Sequence, residues 1–501
     1  MEILPGGSRV AVIDVGSNSG RAVVFRLVGE GHLEILADAR VPLRLARDLT
    51  RGGRLGEASI ERTLQALRDF TMVARGSGAE QTVAVATSAV REAENADELV
   101  DRAARELGLS LEVIDGEREA YLSFLGAVHG LPVEHGSLID VGGGSLEVSS
   151  FRGRRPADSW TFPLGALRLS DRFLESDPPE PEELDSLRDH VRGELEGGGL
   201  RPLGPGDALA GTGGTVRNLA AIDERWHRYF IPNLHGYVLE RVRLQDVFEL
   251  LVGKRSEKRM AVPGLSSDRA DSILGGAVVV DSVMEHLGAA GLVVSGQGLR
   301  EGIALDALGL GPEALPTARE ISLTALASRF TTWDAKTASR RADAAAALTD
   351  GAVSDASGEE REMLAHAATA LDLGRAIDYY ERHREASVVV LAADLDGFTH
   401  RQRALVAAIL RQAGGESVGT SFRPLLDKRD RAWIPRAGAM LALADEIERR
   451  TPPDEPVVVA CSVRRNGVVV RAPSLASWRP RSVGDRFRRA FHRPLVVEGE
   501  P

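Results

Sequence analysis

Short apolar runs separated by polar turns dominate the first part of the chain. Val10–Ile13 and Ala22–Phe25 flank a turn rich in Gly, Ser and Asn, which predicts a β-hairpin over residues 9–28. The same pattern returns at residues 137–151, where a short strand leads into Asp140, three glycines and a second strand. A strand, an Asp, a glycine-rich turn and a returning strand therefore occur twice. This repeat predicts two related halves that face a cleft.

The segment between the two hairpins alternates between the periodicities of helices and strands. The expected helices are 59–74, 96–107 and about 117–128, and the expected strands are 83–86 and 111–114. Such alternation favours an α/β sheet.

Two further glycine-rich turns follow short apolar strands. One is Gly211–Thr215, after Ala208–Ala210, and the other is Ser295–Gly298, after Leu292–Val294. Beyond them the chain becomes rich in alanine and strongly helical, from 318 to about 450.

The length of 501 residues exceeds what one hydrophobic core can hold, so two to four domains are expected. We predict a first domain at 1–129, a second at 130–307, a linker at 308–317, where Gly and Pro cluster, and a C-terminal region at 318–501.

The bulk composition narrows the class of protein. With 43% hydrophobic and 27% charged residues, the chain is expected to be globular. The net charge of -11 argues against a general nucleic-acid binder, and no stretch approaches the roughly eighteen apolar residues of a membrane span. The single cysteine, Cys461, is expected in a buried strand and cannot form an intrachain disulfide. These features favour a cytoplasmic protein without nucleic-acid or membrane partners.

The glycine-rich turns suggest phosphate chemistry. Successive backbone N–H groups in such a turn form an anion site that phosphate can approach closely, although any single turn is more often a plain tight turn. Asp14 and Asp140 occupy equivalent places in the repeat and would repel phosphate unless a cation lay between them. Mg²⁺ is the natural candidate, with Glu147 as a further ligand, because it prefers a few carboxylates plus phosphate oxygens and water. The alternative is that both Asp side chains cap their own turns.

Eight motifs follow one another along the chain: Asp14–Ser19, Ala86–Ala93, Gly116–Ala120, Ile139–Glu147, Gly211–Thr215, His235–Tyr237, Pro263–Leu265 with Arg269–Asp271, and Gly298–Gly302. In this order they resemble the exopolyphosphatase/guanosine pentaphosphate phosphohydrolase family (Ppx/GppA) of the actin-like phosphotransferase superfamily. The family often has two adjacent acids in the third motif. The second of them aligns with Glu119, so Arg118 is the departure from the family pattern.

The resemblance implies an α/β fold with two actin-like (ribonuclease H-like) domains around a cleft. It implies hydrolysis of the terminal phosphoanhydride of inorganic polyphosphate with Mg²⁺ or another divalent cation. Glu119 would be the general base, Arg91 a second catalytic residue, and Asp140 and Glu147 the metal-binding acids. The expected phosphate contacts are Asp14, Ser17, Asn18, Arg21, Gly142, Gly143, Gly144 and Ser145, to which the third glycine-rich turn adds Gly213 and Thr215.

The C-terminal region of longer family members resembles a metal-dependent His-Asp (HD) phosphohydrolase domain, so a mainly α-helical, degenerate HD-like domain is expected here. Leu371 stands where the adjacent His of the His-Asp pair belongs, which makes a second metal site improbable. His366 and His383 are then core or helix-surface residues. The hypothesis is that this domain lengthens the polyphosphate groove or mediates a homodimer.

Several functions stay open at this point. The first alternative is the hydrolysis of guanosine pentaphosphate, which also exposes a terminal phosphoanhydride. The second is an ATP-dependent kinase or ATPase, because actin-like folds generally hold ATP, although no aromatic or lysine-rich nucleotide pocket is visible. The third is a non-catalytic sensor of polyphosphate or a guanosine alarmone, against which the intact acids argue.

Overall fold

The computed structural model describes residues 7–479 and 481–498, except for the side chains of residues 49–51. The chain divides into two compact units. The first holds the residues up to Tyr229 together with Leu234–Ala318, and the second holds Phe230–Asn233 and the residues from Arg319 onward. All four glycine-rich segments therefore belong to the first unit.

The first half of this unit is a five-stranded sheet with helices. Its elements are β1 (Arg9–Val15), β2 (Ser19–Val28), β3 (His32–Pro42), α1 (Ala46–Gly52), α2 (Glu57–Gly76), β4 (Gln81–Ala86), α3 (Ser88–Arg91), α4 (Ala96–Leu107), β5 (Leu111–Val113) and α5 (Gly116–Gly130). The strand order is β3-β2-β1-β4-β5, antiparallel from β3 to β1 and parallel from β1 to β5. After Arg9, every residue of β1 is buried, as expected for a central strand, whereas β3 at the edge is largely exposed.

The second half repeats this sheet and adds one strand. Its elements are β6 (His135–Val141), β7 (Leu146–Arg152), β8 (Arg155–Phe162), α6 (Ala166–Phe173), α7 (Pro181–Gly197), β9 (Ala208–Thr212), α8 (Gly213–Trp226), β10 (Val238–Glu240), α9 (Arg241–Val252), α10 (Ser256–Arg259), α11 (Ile273–Leu287), β11 (Gly291–Val294) and α12 (Leu299–Leu308). The strand order is β10-β11-β9-β6-β7-β8. The antiparallel run β8-β7-β6 and the parallel run β6-β9-β11 match the first sheet strand for strand. Both predicted hairpins are confirmed.

Two helices that carry candidate site residues cross at backbone contact. A Cβ on Gly126 of α5 would lie 2.5 Å from the backbone nitrogen of Gly302 in α12, and a Cβ on Gly302 would overlap with the Leu122 carbonyl group. Only glycine permits so close a crossing. The crossing fixes Glu119, on α5, relative to Arg300, on α12.

The second unit is helical with a small sheet, as the sequence predicts for 318 to about 450. Its elements are α13 (Leu315–Ala327), which begins before the boundary, α14 (Ala335–Ala352), α15 (Gly358–Ala370), α16 (Arg382–Ala392), α17 (His400–Gly414), α18 (Lys428–Glu448), β12 (Ala460–Arg464), β13 (Gly467–Arg471), α19 (Ser482–Phe491) and β14 (Leu495–Glu498). The three strands pair in the order β12-β13-β14.

A buried ion-pair cluster occupies the core of these helices. Arg341 contacts Asp372 at 2.7 Å and Asp445 at 3.1 Å, and Arg382 contacts the same two acids at 3.4 and 2.5 Å. Both carboxylates are thus engaged by guanidinium groups. His366 is likewise buried, and its ring makes a T-shaped contact with the ring of Phe398.

Two sequence expectations were wrong in detail. The third glycine-rich segment is not a turn, because Gly211 and Thr212 end β9 and Gly213–Thr215 begin α8. Cys461 lies in β12 as predicted, but it is half-buried rather than buried, since the small sheet leaves this strand partly uncovered. Among the described residues, no helix combines the length and apolar character that a membrane span requires.

Candidate active site

A cleft of about 420 Å³ lies between the two halves of the first unit. It is lined by the segments that follow β1, β6, β9 and β11, so all four glycine-rich segments meet there. In sheets of this type ligands bind beyond the carboxyl ends of parallel strands. The cleft is therefore the natural place for the chemistry suggested by the sequence.

The loops after β1 and β6 face each other at close range. A Cβ on Gly143 would lie 3.3 Å from Asn18 Cβ, and one on Gly144 would lie 2.8 Å from Ser17 Oγ. Ser17 Oγ is also 2.7 Å from Ser88 Oγ. The glycines allow the two loops to approach, and they leave backbone N–H groups accessible to an anion.

Four acids come together around this cleft: Asp14 on β1, Glu119 on α5 and Glu147 on β7, which are buried, and Asp140 on β6, which is half-buried. Asp140 pairs with Glu147 across the second hairpin, and Asp14 pairs with Arg21 across the first. At this position the second hairpin therefore carries an acid, Glu147, and the first hairpin carries a basic residue, Arg21.

The four carboxylates differ in their partners. Arg300 Nη1 donates to Asp14 Oδ2 at 3.0 Å, and Arg91 Nη1 donates to Glu119 Oε2 at 2.9 Å. Asp140 Oδ2 accepts from Ser123 Oγ at 2.7 Å. Glu147 Oε1 is buried and has no hydrogen-bond partner among the described residues. Negative charge is thus only partly compensated on the β6–β7 side.

Burial raises the pKa of all four acids. The pKa of Glu119 rises to about 7 because burial outweighs the opposing effect of Arg91. The pKa of Glu147 rises well above its ordinary value through burial and then through repulsion from Glu119 and Asp140. A group with a pKa near neutrality can act as a proton acceptor at physiological pH.

Guanidinium groups supply the positive charge. The cleft is lined by Arg217 on α8, by Arg300 on α12 and by Arg269, which lies between α10 and α11. Burial lowers the pKa of Arg217 and of Arg269 to about 10, so both stay protonated at neutral pH. Arg269 lies over Gly214, where any Cβ would overlap with its guanidinium group. Planar guanidinium groups are suited to paired phosphate oxygens.

Comparison with known families identifies the family to which this chain belongs. Residues 23–310 match the model of the Ppx/GppA phosphatase family, and residues 318–465 match the Ppx/GppA phosphatase domain III. The chain belongs to the Ppx/GppA phosphatase family. The sequence-based resemblance is thereby confirmed, and the chain is a hydrolase.

Individual relatives agree with this assignment. Exopolyphosphatase 1 of Mycobacterium tuberculosis is 31% identical over 308 residues, which are 60% of this chain and 88% of that protein. Exopolyphosphatase 2 of the same organism is 34% identical over 319 residues, 60% of this chain and 99% of the relative.

Solved structures show the same fold. The Ppx/GppA family member from Aquifex aeolicus is 32% identical, with a TM-score of 0.53, over 60% of this chain and 97% of its own. An exopolyphosphatase from Cytophaga hutchinsonii is 25% identical, with a TM-score of 0.55, over 61% and 100% respectively. The two sheets of this Ppx/GppA chain therefore form an actin-like fold, as expected.

Most of the predicted site residues of this Ppx/GppA chain line the cleft. They are Asp14, Ser17, Asn18, Arg21, Glu119, Asp140, Gly142, Gly143, Ser145 and Gly213. Arg21 is already held by two hydrogen bonds to Asp38, at 2.5 and 2.9 Å.

Four predicted residues lie behind the lining. Arg91 backs Glu119, Gly144 packs on Ser17 and Ser88, and Glu147 sits behind Asp140 on the neighbouring strand. Thr215 is buried in α8 against Gly276 of α11, so the structure does not bring its side chain to the cleft. The position of Thr215 corrects the expectation of a phosphate contact, because that expectation assumed a turn where the helix begins.

Sequence reasoning gave no role to Arg217, Arg269 and Ser123, and it included Arg300 only as part of the motif Gly298–Gly302. Arg269 and Arg300 stand inside motifs that carry the family resemblance, which is the signal that could have selected them. Arg217 and Ser123 are ordinary helix residues with no local signal. Only the fold shows that they face the cleft or its acids.

Proposed function

We propose that this Ppx/GppA chain hydrolyses the terminal phosphoanhydride of linear inorganic polyphosphate and releases orthophosphate. The observation that carries the proposal is the lining of the cleft, which within the described residues combines glycine loops, guanidinium groups and acids with no aromatic ring. Such a surface suits a chain of phosphates and offers no ring for stacking a nucleobase. The relatives named exopolyphosphatase support the same substrate.

The phosphate chain is held by this protein's own groups. Backbone N–H groups of Gly143 and Ser145 form one wall, with Gly142 closing the turn through its bond to the Ser145 carbonyl, and the Ser17–Asn18 loop forms the other. Arg217 and Arg269 provide positive charge along the floor. Phosphoryl transfer depends mainly on position and charge stabilisation, which these groups supply.

Glu119 is the proposed general base. Its carboxylate takes a proton from water as the water oxygen forms a bond to the terminal phosphorus and the bridging P–O bond breaks. The bridging oxygen leaves with the shortened chain, which carries the charge of the broken bond. Arg91 holds Glu119 Oε2 and is itself held by the Ile114 carbonyl at 2.8 Å, so it fixes the direction of the base.

The residues present fit a divalent cation. Glu147 Oε1 is buried without a partner, and Asp140, its cross-strand neighbour, is also an acid. The described residues hold no cluster of three or more His, Cys, Asp or Glu side chains arranged around a metal. Mg²⁺ commonly binds one or two carboxylates and completes its shell with phosphate oxygens and water. When bound by Asp140 and Glu147, Mg²⁺ would neutralise charge on the phosphates.

A side-by-side measurement tests the substrate. Phosphate release is followed with long-chain polyphosphate, guanosine pentaphosphate and ATP, each with Mg²⁺. The proposal expects the highest kcat/KM for polyphosphate with no nucleotide present. Preference for guanosine pentaphosphate would identify the other activity of the family name, strict dependence on ATP would identify a kinase or ATPase, and binding without turnover would identify a sensor.

The proposal also includes a cytoplasmic location, a homodimer and a role for the second unit. The hypothesis is that this unit lengthens the phosphate groove or joins two copies. A chain truncated after residue 310 should then change its preference for polyphosphate length or its mass in solution. Unchanged values of both would refute the hypothesis.

A further inference from the structure

The two hairpins of the repeat have diverged in how they hold their aspartates. Asp14 Oδ2 accepts a hydrogen bond from the charged guanidinium of Arg300, at 3.0 Å. Asp140 Oδ2, at the equivalent position, accepts from the neutral hydroxyl of Ser123, at 2.7 Å. A guanidinium group neutralises a carboxylate, whereas a hydroxyl group orients the carboxylate and leaves its charge in place.

Ser123 is placed on a rigid element. It lies on α5 one helical turn after Glu119, and it is 1% exposed. The close crossing of Gly126 and Gly302 prevents α5 from sliding or rotating against α12. One helix thus carries both the proposed base and the donor that holds Asp140.

The bond from Ser123 leaves the other oxygen of Asp140 for the cleft. Asp140 Oδ1 lies beside Gly213, which lines the cleft and on which a Cβ would be 2.5 Å from that oxygen. Charges of both signs act on the Asp140 carboxylate, since Glu119 and Glu147 repel it while Arg217, Arg269 and Arg300 attract it, and these forces favour its rotation. A fixed donor on Oδ2 opposes this rotation.

We propose that Ser123 is a positioning residue, which holds Asp140 Oδ2 so that Oδ1 is presented to a divalent cation at a fixed distance from Glu119. This inference rests on the proposed function, because it assigns Asp140 to the cation. It also explains why only one aspartate of the repeat is paired with an arginine. Donors to metal-binding carboxylates commonly contribute 10-fold to 100-fold to metal affinity or activity.

The test uses three variants of the full chain. Ser123→Ala removes the donor, and Ser123→Thr restores a hydroxyl group. Ser149→Ala is the matched control, because Ser149 is also buried and contacts α5, but its hydroxyl donates to the Ala120 carbonyl, at 3.4 Å, and not to a carboxylate.

Binding of Mn²⁺ to the protein without substrate is measured by electron paramagnetic resonance, and steady-state kinetics are measured with polyphosphate and Mg²⁺. Ser123→Ala is expected to weaken Mn²⁺ binding and lower kcat by about 10-fold or more, with KM for polyphosphate nearly unchanged. Ser123→Thr should recover most of both losses, and Ser149→Ala should behave as wild type.

Wild-type Mn²⁺ affinity and kcat in Ser123→Ala would overturn the inference, and so would equal losses in Ser149→Ala. These outcomes are distinct from failure of the proposed function. If the wild-type chain releases no phosphate from polyphosphate, the proposed function is refuted, while the comparison of Mn²⁺ affinities still decides the role of Ser123.

Discussion

Arg91 Nη1 lies 2.9 Å from Glu119 Oε2 and donates at the same time to the Ile114 carbonyl oxygen. The guanidinium group therefore anchors a buried carboxylate to the end of a strand, at the edge of the cleft. Its charge opposes the effect of burial on Glu119, whose pKa nevertheless rises to about 7. The activity of the enzyme should depend on this balance.

Replacing Arg91 with Ala is expected to move the acidic limb of the pH profile of kcat/KM to higher pH. Loss of the positive charge raises the pKa of Glu119 further above about 7, and a protonated base cannot accept a proton from water. The expected displacement is about one pH unit or more. Arg118→Ala is the control, because Arg118 lies on the same helix as Glu119 but pairs with Asp306. An unmoved limb in Arg91→Ala would contradict this account.

The contribution of Glu119 to the stability of the metal-free protein should fall as the pH rises. The folded state binds more protons than the unfolded state wherever a carboxyl group has a raised pKa, so the free energy of unfolding decreases with pH. For Glu119, raised from 4.5 to about 7, the loss begins above pH 4.5, is complete above about pH 7 and amounts to about 3 kcal/mol.

Chemical denaturation at pH 5 and pH 8 in the presence of EDTA measures this effect. Relative to wild type, Glu119→Gln should lose less stability between pH 5 and pH 8, because the uncharged amide does not titrate. Equal differences in the two proteins would rule out Glu119 as a source of the pH dependence.

Replacing Arg217 with Ala should weaken substrate binding. Its guanidinium group lines the cleft and is held in place by a 2.6 Å hydrogen bond to the Gly296 carbonyl oxygen. Loss of one charge-assisted hydrogen bond to phosphate, at about 1.5–3 kcal/mol, corresponds to a rise in KM of about 10-fold to 100-fold. Arg225→Ala, at an exposed position of the same helix, should leave KM unchanged. The same KM in both variants would contradict a role of Arg217 in substrate binding.

Replacing Gly213 with Ala should abolish activity, because the new side chain would displace Asp140. Gly213 has φ of +89°, which is costly for alanine, and the added Cβ would lie 2.5 Å from Asp140 Oδ1. The control is Gly193→Ala in α7, where nothing lies within 4 Å of the new atom. Gly193→Ala should retain full activity and gain about 0.5–1 kcal/mol of stability from helix propensity. Wild-type turnover in Gly213→Ala would contradict the placement of Asp140.

The sequence predicts the parts of this site that depend on local pattern. Asp14 and Asp140 each end an apolar strand before a glycine-rich turn, and this order alone determines that both reach the cleft. The role of Glu119 came from the family resemblance, because an acid in the first turn of a helix is otherwise an ordinary helix feature.

The remaining contacts depend on three-dimensional packing. Thr215 was expected at the phosphate because its segment reads as a turn, but α8 begins at Gly213, and the resulting helical phase directs Thr215 towards α11. The same helical phase directs Arg217 towards the cleft. Ser123 meets Asp140 only because α5 packs beside β6, and a pairing between distant segments has no signature in a single sequence.

The most direct test compares wild type with Glu119→Gln on linear polyphosphate and Mg²⁺, with orthophosphate release and polyphosphate binding measured on the same preparations. The account predicts nucleotide-independent phosphate release by wild type. In Glu119→Gln, turnover should fall by about 100-fold or more while polyphosphate binding is retained. Full turnover in Glu119→Gln, or no phosphate release by wild type, would contradict it.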